Sequence, residues 1–135
     1  MTEASGRLIG RVAMITVAPR GMGLATARRF LAEGARVVIA DLNAATGEKA
    51  LEELSAAGYG GDVRFARTDE AVEDDVAAAV ETAVEAFGGL DVVFNNAGVG
   101  GAFGPITDIE IERWDHTFAV LVRGSSSARS TAPGP

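Results

Sequence analysis

The chain has 135 residues, 47% of them apolar, which is enough for one domain with a real core and too little for two full domains. It contains no cysteine and a single histidine, His116, which excludes disulfides, thiolate zinc sites and a histidine-rich metal centre. The formal net charge of −7 argues against nucleic acid or an acidic membrane face as the main partner.

Residues 1–11 lack the continuous apolar core of a signal peptide, and no later run is long enough to cross a bilayer, so a cytoplasmic, soluble protein is expected. The apolar run 12–16 reads as a buried parallel strand. It feeds the turn Val17-Ala18-Pro19-Arg20-Gly21-Met22-Gly23, after which Leu24, Ala27, Phe30 and Leu31 recur at helical spacing. Gly34 stands where a left-handed helix terminus would want it. In such a strand–turn–helix unit Gly21 and Gly23 let the backbone approach a pyrophosphate, which the amides and dipole of the opening helix attract.

The run Arg36 to Asp41 reads as a second buried strand closed by an acid. A carboxylate there can accept hydrogen bonds from the adenosine ribose hydroxyls, and its charge repels a 2′-phosphate, so NAD is favoured over NADP. Two alternatives stay open. Arg20 could pair with a phosphate, and Asp41 could simply cap the next helix. That helix is marked by Ala50, Leu51 and Leu54 over about 44–57, stopped by Gly58, Gly60 and Gly61.

A third strand over 63–67 precedes a long helix over about 70–87, with Val72, Val76, Val80, Ala83, Val84 and Phe87 as its apolar stripe. The acids Glu70, Glu73, Asp74 and Asp75 would spread around a solvated face of that helix, so no metal site is expected there. A fourth strand, 92–94, runs into Asn95-Asn96-Ala97-Gly98, then a glycine-rich loop to Pro105 and a helix over about 109–122. Strands alternating with helices at this spacing imply an α/β fold with a parallel sheet and right-handed crossovers. Residues 1–124 are read as this domain, and 125–135, without apolar periodicity, as a disordered tail.

The order of turn, Asp41 and Asn95-Asn96-Ala97-Gly98 resembles the short-chain dehydrogenase/reductase family, over about residues 6–123. The family's TGxxxGxG turn matches Thr16 to Gly23 except at Val17, and its NNAG motif is intact. The resemblance implies a partial Rossmann-like, doubly wound sheet of strand order 3-2-1-4, with the family's later strands missing. It implies a dinucleotide cofactor contacted by Thr16, Arg20, Gly21, Met22, Gly23, Asp41, Leu42, Asp69, Asn95, Ala97 and Gly98. Asp69 would be the acid that meets the adenine amino group, although it and Glu70 could also complement the helix dipole.

The sequence departs from the family in three ways. The family's serine and its YxxxK tyrosine and lysine lie beyond NNAG, whereas the only tyrosine and lysine here, Tyr59 and Lys49, precede the third strand. The family's relay asparagine aligns with Leu121, so no catalytic residue can be assigned, and hydride transfer by these residues alone is not expected. Val17 resists positive φ and Pro19 removes an N–H donor, which together predict weakened cofactor affinity. Two uses of the fold follow: the cofactor-binding half of an NAD(P)-dependent oxidoreductase, or a non-catalytic nucleotide- or protein-binding module. The second would use the exposed edge of the fourth strand for self-association.

Overall fold

A computed structural model describes residues 6–16, 22–94 and 110–119. Its elements are β1 Val12–Thr16, α1 Met22–Ala32, β2 Arg36–Asp41, α2 Ala44–Leu54, β3 Val63–Arg67, α3 Glu73–Phe87, β4 Val92–Phe94 and α4 Ile111–Phe118. One sheet of order β3-β2-β1-β4 results, and every pairing in it is parallel. The expected class, strand order and strand boundaries are those observed.

Alternation along the central strands builds two cores. Ile15, Val37, Ile39 and Val63 pack on one face against Ala27 and Leu31 of α1 and Ala50 and Leu54 of α2. Val12, Met14, Val38 and Ala40 point to the other face and meet Val76, Ala79, Val80 and Ala83 of α3. Strands covered on both faces must be apolar throughout, which is why β1 and β2 read as continuous runs rather than alternating ones. The side-chain period of two then assigns Asp41 to the face of α1 and α2, and Thr16 to the face of α3.

Three helix boundaries differ from expectation. The α2 helix ends at Leu54 and passes into a single π-helical turn, Ser55–Tyr59, where Gly58 takes φ 101°. That left-handed conformation ends the helix, as Gly34 does after α1 with φ 95°. The α4 helix opens at Ile111 rather than at about 109 and is described as far as Phe118; the residues from 120 onward, including the expected helix end and tail, lie outside the described ones.

The third difference bears on the site. The α3 helix opens at Glu73, three residues later than expected, because Asp69 to Val72 form a turn of their own. The Val72 amide donates to the Asp69 carbonyl at 2.9 Å, and the Ala71 amide to Asp69 Oδ1 at 2.9 Å. Asp75 Oδ2 reaches back to the Asp69 amide at 3.0 Å. Val72 and Val84, placed in the apolar stripe by their spacing, are exposed instead. Among the described residues no helix is long and apolar enough to cross a membrane.

Candidate functional site

Because all four strands run the same way, their carboxyl ends share one rim. Thr16 pairs with Ala40, Asp41 with Arg67, and Ile15 with Phe94, so the four strand ends stand side by side. The Thr68 amide extends the β2–β3 pairing by donating to the Asp41 carbonyl at 2.8 Å. The Thr16 hydroxyl donates to the Phe94 carbonyl at 3.3 Å, tying the end of β1 to the residue just before Asn95. The chain winds outward from β1 to β3 on one side and returns to place β4 on the other. Open α/β sheets bind ligands at such a switch point, beyond the carboxyl ends of the strands.

Three helices begin along this rim, and their first turns differ in charge. The α2 helix is capped by Asn43, whose Oδ1 accepts from the Thr46 amide at 3.1 Å. The α3 helix carries Glu73, Asp74 and Asp75 in its first turn, so its positive end is already compensated. The α1 helix has no acid in its first turn and packs Gly23 into the protein there. Of the three, α1 offers the least screened positive end to an anion. Arg20, Gly21, Asn95, Ala97 and Gly98 lie outside the described residues, as do Val17 and Pro19; Met22 is the residue that opens α1.

Asp41 is the most constrained polar group at the rim. It is 5% exposed, and its Oδ1 accepts from the Asn43 amide at 3.1 Å. Its Oδ2 is buried and has no hydrogen-bond partner among the described residues. Burial pushes the Asp41 carboxyl above its ordinary range, and the Asn43 and Leu42 amides offset this only in part. Leu42 itself is exposed beside it. Asn43, not Asp41, is the cap of α2, so the capping alternative for Asp41 is answered: its carboxylate orients the cap residue and keeps one oxygen unspent.

Asp69 stands two residues beyond β3, half-buried, with one carboxylate oxygen held by the Ala71 amide. Its partner Asp75 also faces Arg67, at 3.5 Å from Nη1. The chain order of Asp69 and Asp75 therefore caps a turn, and the grouping of Glu70 with the solvated acids of α3 does not hold. Glu73 and Asp74 are exposed on the helix, but Glu70 precedes it, is half-buried, and hydrogen-bonds through its side chain to Thr16. Burial and the neighbouring charge of Asp69 push the Glu70 carboxyl up, against the lowering effect of the Thr16 bond. The sequence reading missed Glu70 as a rim residue because it placed the helix start three positions early.

Other polar residues are elsewhere. Tyr59 ends the π-helical turn and packs against the core beneath α1 and α2, and Lys49 is exposed on α2. His116 is exposed on α4. Asp62, at the opposite end of β3 from the rim, pairs with Arg36 at 3.8 Å.

Comparison with known proteins adds a consistent result. The chain matches the family model for short chain dehydrogenases over residues 11–132. It is 41% identical over 119 residues to (+)-borneol dehydrogenase 2 from Salvia officinalis, covering 87% of this chain and 41% of that protein. It is 40% identical over 120 residues to a 3-alpha-(or 20-beta)-hydroxysteroid dehydrogenase from Mycobacterium tuberculosis, covering 89% and 44%. A short chain dehydrogenase/reductase from Burkholderia phymatum, solved in complex with NAD, superposes with a TM-score of 0.85 at 35% identity, covering 92% of this chain and 43% of that one. The chain spans less than half the length of these three relatives.

Proposed function

The chain belongs to the short-chain dehydrogenase family, and from that premise we propose that it supplies the cofactor-binding half of an NAD(P)-dependent oxidoreductase, with a preference for NAD. The observation that carries this is Asp41 Oδ2, buried at the carboxyl rim of the sheet and without a partner among the described residues. A buried acceptor without a donor costs about 1–3 kcal/mol, so it persists where something else offers the donor. A ribose diol offers two hydroxyl donors, and the same oxygen in its ionised form repels a 2′-phosphate. The residues present therefore fit the adenosine end of a dinucleotide.

In this reading Asp41 holds the ribose, and the first-turn amides of α1 hold the pyrophosphate. Asp69 borders the adenine, and Thr16 fixes the end of β1 against β4. A bound nicotinamide supplies the hydride donor or acceptor. Two of the relatives described are dehydrogenases of borneol and of hydroxysteroids. The reaction proposed is accordingly the interconversion of an alcohol and a carbonyl. The tyrosine and lysine of this sequence lie away from the rim, so the work assigned to its own residues is binding and orientation rather than proton transfer.

Calorimetric titration with NAD, NADP and AMP tests the proposal. NAD and AMP should bind and NADP should bind more weakly; NADP binding as tightly as NAD would overturn the preference, and no binding of any of the three would overturn the function. A second use of the fold rests on β4. Among the described residues it pairs only with β1, and Phe94 at its end is 37% exposed. Pairing of that edge with a second copy would give a dimer, which light scattering behind a sizing column would detect without nucleotide.

A further inference from the structure

Arg67, the last residue of β3, stands in register with Asp41, the last residue of β2. Residues paired across neighbouring strands carry their side chains on one face of the sheet, with the strands about 4.8 Å apart. A cation is therefore built in beside the carboxylate that the proposed function gives to the ribose. The Arg67 side chain is 56% exposed, so packing does not fix it. Two polar contacts do.

Arg67 Nε donates to the Leu42 carbonyl at 3.2 Å, and Nη1 lies 3.5 Å from Asp75 Oδ2. The first contact keeps the guanidinium beside the residue that follows Asp41. The second turns its outer edge to the first turn of α3. Asp75 is itself anchored, because the same Oδ2 accepts from the Asp69 amide at 3.0 Å. Asp69 has its own Oδ1 committed to the Ala71 amide at 2.9 Å. The turn that delays α3 thus holds an acid in place, and that acid holds Arg67.

A guanidinium is a planar fork of N–H donors that matches phosphate oxygens two at a time. In this protein the fork stands one residue from the ribose-binding acid and is spent on Asp75. If the Asp75 charge alone were removed, Arg67 would turn to Asp41, its neighbour in register, and the fork would again be occupied. If both charges were removed, the fork would be available to a phosphate on the ribose 2′ position, which is the group NADP adds there.

We infer that Arg67 is a tethered cation and that Asp75 is a specificity-determining residue for the cofactor: by engaging Arg67 it withholds from a 2′-phosphate the positive charge that stands next to Asp41. The inference rests on the dinucleotide reading of the rim and deepens its preference for NAD. Asp41 repels the 2′-phosphate directly, and Asp75 denies it a partner. An exposed ion pair shifts an equilibrium by about fivefold at most, which sets the size of the effect.

The test is calorimetric titration with AMP and with adenosine 2′,5′-bisphosphate, which differ only by the 2′-phosphate and need no nicotinamide site. The proteins compared are wild type, Asp41→Asn, the double variant Asp41→Asn/Asp75→Asn, and that double variant with Arg67→Ala added. Asparagine at position 75 keeps an acceptor for the Asp69 amide and removes only the charge, and a urea unfolding curve of each protein checks that the fold is kept. The ratio of bisphosphate affinity to AMP affinity should rise about fivefold from Asp41→Asn to the double variant and fall back when Arg67→Ala is added. The rise should shrink in about 0.5 M salt. An equal ratio in Asp41→Asn and the double variant, a rise that survives Arg67→Ala, or a double variant that takes neither ligand would overturn the inference, while AMP binding by wild type would keep the dinucleotide reading standing. Failure of wild type to bind AMP would overturn both.

Discussion

Replacing Asp41 by asparagine separates what this residue does for the fold from what it does for a ligand. In the free protein the carboxylate is buried, with one oxygen on the Asn43 amide and the other without a partner among the described residues. Asparagine keeps an acceptor for the Asn43 amide and removes the charge. The folded pKa of Asp41 is raised above its ordinary value, so its contribution to stability is fully present below the unfolded pKa and is lost as pH rises through the folded one. At neutral pH the ionised carboxylate is therefore a net cost. Asparagine puts an amide nitrogen where the unpartnered oxygen was, so the cost of an unmet polar atom stays and only the burial of charge is relieved; with solvent at the open rim screening part of that charge, we take about 1 kcal/mol. Asp41→Asn should raise the unfolding free energy of the free protein at pH 7, measured in urea, by that amount, and the gain should vanish in acid. The same change should cost NAD about 1.5–3 kcal/mol of binding, the value of hydrogen bonds to a charged group. It should cost NADP less. A variant that is less stable than wild type at neutral pH, or that binds NAD unchanged, would refute the reasoning.

Gly47→Ala should destabilise by about 1–3 kcal/mol in urea unfolding, because the new Cβ would fall within the Phe65 ring across the α2–β3 contact. Ile39→Ala, at a fully buried position of the central β2 strand, should cost about 2–5 kcal/mol by the same measurement. Asn43→Ala should remove the α2 cap and cost about 0.5–2 kcal/mol, yet leave NAD affinity close to wild type in calorimetry, since the backbone amide that holds Asp41 survives. Val17→Gly should tighten NAD binding by about 1–3 kcal/mol, the scale of a strained backbone position, again read by calorimetry.

The sheet was legible because each buried strand had to be apolar on both faces, which left unbroken runs at 12–16 and 36–41. Strand order was not in those runs; it came with the family resemblance. Asp41 could be found from its place at the end of a strand, because acids are rare where a parallel sheet is covered on both sides. Glu70 could not. Helical periodicity does not say where a helix begins when acids crowd its start, and here Asp69 and Asp75 cap a turn that delays α3 to Glu73. That three-residue shift moved Glu70 from a solvated helix face to the rim.

The charge of the whole chain and the charge along its rim point to one selection rule. An acidic protein, at −7, must hold an anion through local dipoles, and the first turns of α2 and α3 are already served by Asn43 and by three acids. On the proposed reading the pyrophosphate takes the α1 terminus, whose first turn carries no acid. A further phosphate on the ribose would have to sit by Asp41, whose neighbours along the rim include Asp69 and Glu70. Arg67, the cation at the end of β3, is turned to Asp75 and the Leu42 carbonyl instead. On the proposed reading, selectivity against a 2′-phosphate would depend on more than one carboxylate. Removing the Asp41 charge alone should weaken NAD more than it admits NADP, so a full reversal of preference would require a cation at that position as well as the loss of the acid.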